Sequence, residues 1–449
     1  MFKNNFFRVS VFTSLALLSF SSSSAEVISQ DQALTYALEH SPVLHGTASG
    51  VRARSEQVKS AEAAKQPVID LDYGIVYSDN PLVSLGSKLN NRSITAEDFS
   101  PETVNDPGFS DNYFGNLRLK LPLYTGGKIT ADIDEANAIH ASSLAQHKRT
   151  KSTVIYQLNR AYLLAQAAHE AIIIARSSTK AAKKHVRTTQ NLLAENRTVA
   201  SDNLTAKVYH SSVKGIISQA ETQYEQALNA LKQVMGRDLS ADISIVPWNA
   251  ASKQAELPEI NIAETQALNN RYDLKASDEN ISASEARTQV ARSASRLQLG
   301  LEASSSLYAD DPLVDELSWG VLAVAKINLF SGGANKSRVS AAREESNKLK
   351  AEKTAKELEI RRQVRNAYAS IDEGKTRIKL ANSNLSDAKK AVRLVNERYG
   401  EGRTILIDLL QSEQALMNSR SESLNSRLLL EASKLDLQLA MDDFSVLQQ

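Results

Sequence analysis

The side chains able to do chemistry are thinly spread along this sequence of 449 residues. Its histidines, His40, His45, His140, His147, His169, His185 and His210, include no H-E-x-x-H and no pair three or four apart. Two imidazoles therefore never share a helix face at ligand spacing, and no metal site is expected. The Gly126-Gly127 and Gly332-Gly333 pairs lack the following G-K-[ST] of a phosphate loop and read as strand-to-helix turns. No acid and base converge in a pattern that defines a pocket, so neither an enzyme nor a cofactor is expected. Two carboxylates stand out. Asp202 and Asp408 each open a helical pattern just after a short polar turn. The first turn carries Asn196, Arg197 and Thr198; the second carries Tyr399, Gly400, Gly402, Arg403 and Thr404, with Gln411 just beyond. A carboxylate there can cap orphan N–H groups at a helix start.

The elements that hold these turns follow from what the chain lacks. It has only 17 Gly and 9 Pro, and 123–246 and 313–449 contain no proline. Long uninterrupted helices are the expected result. The absence of Cys excludes disulfides, thiol nucleophiles, Cys-ligated metal and a lipidated N-terminal cysteine. Lys plus Arg is 53 against 52 Asp plus Glu, which gives no sign of a nucleic-acid partner. Residues 1–25 read as a secretory signal: Lys3 and Arg8, an apolar run from Val9 to Phe20, then Ser23-Ser24-Ala25 before the cleavage point. The run is shorter than the ~20 residues of a spanning helix, which disfavours an uncleaved anchor. No later segment spans as a helix, so a membrane crossing would be a β-barrel, in a Gram-negative outer membrane.

The mature sequence repeats. A shift of 206 residues carries Leu123-Tyr124-Thr125-Gly126-Gly127 onto Leu329-Phe330-Ser331-Gly332-Gly333. The same shift carries Ala161-Tyr162 onto Ala367-Tyr368, Val186-Arg187 onto Val392-Arg393 and Asp202 onto Asp408. Upstream the shift becomes 230, so the first copy holds 24 extra residues between about 67 and 117. The first repeat is placed at 26–237 and the second at 259–449, with a connector at 238–258.

Within the first repeat, 26–66 reads as a helix capped by Asp31 and stopped by Pro67. Alternating strands follow at about 68–77 and 114–123, with an acidic solvated loop between them. A long helix at 128–195 and a return helix at 200–236 complete the repeat. Their counterparts are strands at 297–307 and 318–329, a long helix at 334–399 and a return helix at 406–443. In the second long helix Val364, Ile371, Ile378, Leu385, Val392 and Tyr399 recur every seven residues beside Ala367, Gly374, Ala381, Ala388 and Val395. That heptad seam predicts a left-handed coiled coil, and the small second row predicts close helix approach. At ~1.5 Å per residue each long helix is roughly 100 Å, long enough for two short helices to stack end to end beside it. Two such units give a wall four helices wide.

The predicted fold class is thus mainly α with a small β part, four strands per chain. Four strands cannot close a membrane barrel, which needs about eight or more. Several chains would have to pool them, with Arg118, Lys120 and Lys326 on the side of a polar lumen. The alternative is a soluble periplasmic coiled-coil scaffold or adaptor.

The tandem repeat, the Leu-Tyr/Phe-Thr/Ser-Gly-Gly turns, and Tyr399-Gly400-Glu401-Gly402-Arg403-Thr404 leading to Asp408-Leu409-Leu410 resemble the TolC-like outer-membrane efflux proteins over essentially the whole mature chain. The resemblance implies a homotrimer whose twelve strands form one barrel in outer-membrane lipid, above a long periplasmic tunnel of helices. It implies a periplasmic adaptor and an inner-membrane RND or ABC transporter as partners, serving drug efflux or type I secretion. It also puts both tips at the periplasmic entrance, with Asp202, Tyr399, Arg403, Thr404, Asp408 and Gln411 as gate residues. Asn196, Arg197, Thr198, Gly400 and Gly402 become adaptor-docking positions. Asp408 falls on an entrance aspartate of the family, while Gln411 stands where some members have a second. Thr404 stands where some have a gating Arg, with Arg403 beside it. The Lys183-Lys184 and Lys389-Lys390 pairs read as solvated faces, or as tunnel lining or adaptor contacts.

Overall fold

The computed structural model describes residues 26–248, 257–309 and 316–444. The expected signal at 1–25 lies outside them, as do the middle of the connector and Pro312. The segment expected as one helix is three elements: β1 (Glu26–Ile28), α1 (Gln30–His40) and α2 (Pro42–Ala63). Ser29, not Asp31, caps α1. Its Oγ accepts the Gln32 N–H at 3.2 Å while its own N–H donates to Gln32 Oε1 at 2.9 Å, a reciprocal capping box. The helix breaks at extended Ser41, because the ring of Pro42 bars the preceding residue from helical backbone.

Strand β2 (Val68–Ser78) then leads to the segment expected as a solvated loop, which is folded. It contains α3 (Pro81–Asn90), a 3-10 turn (Ala96–Phe99) and α4 (Pro101–Asn105). Asn80 caps α3 by accepting the Leu82 N–H at 2.9 Å, and Pro81 fills the first helical position. Strand β3 (Ser110–Tyr124) begins earlier than expected. The long α5 (Lys128–Ala194) and return α6 (Ala200–Met235) follow, then β4 (Ile243–Ile245) inside the connector. The second half contains α7 (Ile260–Asn270), α8 (Tyr272–Ser293), β5 (Gln298–Ala309) and β6 (Glu316–Lys326). It ends with α9 (Ala334–Gly400) and α10 (Leu406–Met441). Strand β6 stops before Ile327 and Leu329, which the alternation had assigned to it. Both long helices start at a glycine with φ near +87°, Gly127 and Gly333, a backbone state other residues rarely adopt.

The helices form a layer of four columns. Helices α2 and α6 lie along one side of α5; α8 and α10 lie between α5 and α9. The small row of the seam does what its size allows: a Cβ on Gly374 would sit 3.1 Å from the Leu430 backbone, so α9 and α10 approach closely there. Two matching apolar clusters hold the columns, one around Leu158, Tyr162, Leu231 and Met235, the other around Ile360, Val364, Leu437 and Met441. At mid-height the short helices abut. Gly236, with φ +72°, ends α6 against the α1–α2 break, where a Cβ would lie 2.6 Å from His40 O. Asp442, with φ 54°, ends α10 against the α7–α8 break.

Among the described residues, two small sheets complete the fold. Strands β1 and β4 pair in parallel, and the Tyr162 hydroxyl fixes them to α5 by donating to Ile28 O at 3.0 Å and accepting the Val246 N–H at 3.2 Å. Its counterpart Tyr368 donates to Pro258 O at 2.5 Å. The other sheet has the order β2-β3-β5-β6, antiparallel throughout.

Candidate functional site at the hairpin tips and the four-stranded sheet

The two tips lie together. Tyr399, Leu406, Leu409 and Leu410 of the α9–α10 turn form one apolar cluster with Ala206 of α6, flanked by Val186, Leu192, Tyr209 and Val395. Each tip reverses through a left-handed residue at matching positions, Asn196 (φ 54°) and Gly402 (φ 70°). Asp202 and Asp408 are not the cap residues: Val199 and Ile405 hold those positions, and the carboxylates lie in the first turns of α6 and α10. There they accept hydroxyl hydrogen bonds from the preceding threonines, Thr198 to Asp202 at 2.7 Å and Thr404 to Asp408 at 2.6 Å. The β-branched cap residues offer no side-chain acceptor, so the threonine–aspartate pair closes the turn, and the negative charge faces the positive helix start.

The two tips differ in exposure. Asp202 is half-buried beside Tyr399, whereas Asp408 and Gln411 are exposed. The Tyr399 hydroxyl is buried and has no hydrogen-bond partner among the described residues. Burial and then the charge of Asp202 push its phenol above the ordinary value, so it stays a neutral donor. Arg197 turns to Glu195 at 3.3 Å and Arg403 to Glu401 at 3.2 Å, both solvent-exposed pairs at their own tips. Within one chain the arginines therefore do not reach Asp202 or Asp408. Gly400 is the last residue of α9.

Sequence reading missed a polar layer just behind the tips. His185 of α5 lies 3.0 Å from Glu413 of α10, both nearly buried, and Asn203 donates to Thr189 Oγ1 at 3.1 Å. Burial, with the Glu413 charge second, pushes the nearby Tyr209 phenol up to about 12. These residues carry no local motif; only the shared face of three helices unites them.

At the opposite end, the strand register separates two faces. Asp70, Arg118 and Ser304 stand opposite one another, as do Asp72, Asn116, Ser306 and Ser318, and Lys120 faces Glu302. Lys326, opposite Gln298, shares their side of the sheet. Arg118 is ion-paired with Asp72. The alternate residues form the apolar face, and they are exposed: Leu71 at 71%, Trp319 at 78% and Val321 at 61%. Strands β2 and β6 are its two unpaired edges.

Long helical hairpins joined to a small sheet with one polar and one apolar face are the architecture that any relative must match. A sequence profile described as outer membrane efflux protein matches residues 33–237 and 264–441, and the chain belongs to that family. It is an outer-membrane efflux or secretion channel. Among its relatives, the proteases secretion protein PrtF of Dickeya chrysanthemi is 22% identical over 90% of this chain and 86% of its own length. Protein CyaE of Bordetella pertussis is 24% identical over 76% of this chain and 68% of its own. The outer membrane channel CmeC of Campylobacter jejuni superposes with a TM-score of 0.77 at 16% identity, covering 98% of this chain and 93% of that one.

Proposed function

We propose that three copies of this chain assemble into a continuous duct: a twelve-stranded barrel in the outer membrane above a tunnel of helices extending into the periplasm. One observation carries this reading. The four-stranded sheet leaves β2 and β6 unpaired and exposes an apolar face. In lipid an open strand edge costs several kcal/mol per unpaired group, and only closure removes it. Pairing β6 of one copy with β2 of the next satisfies both edges, turns the Arg118, Lys120 and Lys326 face toward a wet lumen and puts Leu71, Trp319 and Val321 in lipid. The helical layer supports the same closure, because α9 and the α2/α6 column are its free sides. The two halves act as repeats, 26–237 and 259–449, each supplying two strands and one hairpin.

In this duct the tips form the periplasmic entrance. Asp202, Tyr399, Arg403, Thr404, Asp408 and Gln411 make the closing contacts across the threefold axis, and Asn196, Arg197, Thr198, Gly400 and Gly402 present the turns to a periplasmic adaptor. An inner-membrane transporter delivers the substrate. The likeness to a protease secretion protein favours an ABC exporter and a protein substrate over an RND pump and small molecules.

Envelope fractionation with native mass measurement tests the assembly. A detergent-extracted trimer that forms pores in planar bilayers is expected; a monomer released without detergent would overturn the duct and restore the soluble scaffold. Cross-linking from the tips in cells, followed by mass spectrometry, identifies the adaptor and transporter.

A further inference from the structure

The insert between β2 and β3 runs from 79 to 109, against only 310–315 between β5 and β6, and its placement gives it a task. It begins after Ser78 and ends before Ser110, the strand ends farthest from the helices. Its shape is fixed internally: Lys88 pairs with Asp98 at 2.5 Å, and Asp98 also accepts the Thr95 N–H at 2.7 Å. At its base it grips both faces of the sheet: Phe109 stacks on Tyr77 of the apolar face at 5.2 Å, while the end of α3 reaches the polar face. Asn91 donates to Asn112 at 3.3 Å, and Asn112 is buried on the face that also carries Asn116 and Arg118. Just below, that face turns aromatic. The Phe114 ring covers Gly74, whose Cβ would lie 2.9 Å from it, and Phe114 stands opposite Tyr308. Above this layer the insert exposes Leu82 at 81%, Leu89 at 51% and Phe99 at 61%.

The size of the barrel decides what becomes of that apolar surface. Twelve strands about 4.8 Å apart and tilted about 40° enclose a backbone ring roughly 24 Å across. Three helices about 10 Å thick, grouped round an axis, fill a circle roughly 22 Å wide. Three inserts reaching the lumen face at this end cannot avoid one another. We propose that residues 79–109 form a second constriction at the barrel end farthest from the helices, closed by apolar contact among three copies of this chain. This inference rests on the trimeric barrel of the preceding subsection. Exposed Asp79, Glu97, Glu102 and Asp106 repel between copies, so the contact tightens as salt screens them. A constriction of apolar side chains bars water and solutes by dewetting and yields when a large substrate is pushed through.

The absence of Cys makes the test clean. Ser304→Cys puts one thiol on the lumen face, to be labelled on whole cells with a large polyethylene-glycol maleimide. Labelling is expected to rise about tenfold or more when Leu82, Leu89 and Phe99 are changed to Ser. In the otherwise unaltered chain, Leu82→Cys or Phe99→Cys is expected to give a disulfide-linked dimer on oxidation in membranes. Equal labelling rates overturn the constriction and leave the trimer standing. So does the failure of both cysteines to link in a protein whose native mass is trimeric. A monomeric protein removes the constriction together with the barrel.

Discussion

The Asp442 carboxylate accepts the backbone N–H of Tyr272 at 3.1 Å, joining the end of α10 to the start of α8. At the matching junction of the first half stand Gly236 and Pro42. Proline has no N–H to satisfy, so a residue without a side chain suffices there; tyrosine has one, and an acid supplies the acceptor. The same carboxylate lies 3.3 Å from Arg149 of α5, with side-chain exposures of 0% and 12%. Asp442→Gly is expected to cost about 3 kcal/mol by removing the carboxylate beside a buried arginine, which then keeps its bond to Leu439 O at 3.0 Å and the more distant charge of Asp273. Thermal unfolding of the detergent-purified protein measures it. Adding Tyr272→Pro should recover part of the loss, and adding Arg149→Ala more; strictly additive losses would deny the junction this coupling.

Gly374 of α9 packs directly against the backbone of Leu430 in α10. Gly374→Leu forces its side chain into the Leu430 backbone, 3.1 Å from where a Cβ would stand, against a gain of only about 1 kcal/mol in helix propensity. A net loss of about 2 kcal/mol or more and slower trimer assembly are expected in denaturant titration and native gels.

The fold of the insert depends on an ionised Asp98. The Lys88 ammonium, then the Thr95 N–H and hydroxyl, hold its carboxyl down to about 2 from 3.8. A depressed folded value means the contribution is complete above the unfolded value and is lost as pH falls through about 2. Pepsin cleavage within 88–100 should therefore appear only near that pH, while Asp98→Asn should expose Lys88 and Arg92 to trypsin at neutral pH. A variant as resistant as the parent would show that the ion pair does not hold the insert.

The buried Tyr399 hydroxyl lacks a partner among the described residues, so a closed entrance is expected to supply one from a neighbouring copy. Tyr399→Phe then raises single-channel conductance in planar bilayers several-fold, and Thr404→Val, which frees Asp408, raises it further. An unchanged conductance in both would remove these residues from the closing contacts.

Long-range regularity was legible in the sequence; local interruption was not. The seam from Val364 to Tyr399 announces itself because a seven-residue period sustained over five turns of the pattern has one physical reading. The α7–α8 break at Arg271-Tyr272 has no proline and is held by Asp442, 170 positions away. Strands β1 and β4 are three residues each and pair across the whole first half, which leaves no local signal. Asn80-Pro81 was a visible helix start within the insert, obscured by the acidic composition around it. At the tips the residue types were readable, but their pairing was not. Thr198 and Thr404 take the carboxylates, the arginines turn to Glu195 and Glu401, and His185 meets Glu413 only because α10 crosses onto α5.

The alternation of unbroken and broken columns gives the wall mechanical anisotropy. Helices α5 and α9 run 67 residues without interruption, while their neighbours are jointed at one height, where Gly236 and Asp442 sit. A laminate of two continuous staves and two jointed ones is weakest at the height of the joint, where only α5 and α9 carry through. Any twist of the tips against the sheet end is thus expected to concentrate at that height, and the distance from joint to tip sets the length of the lever.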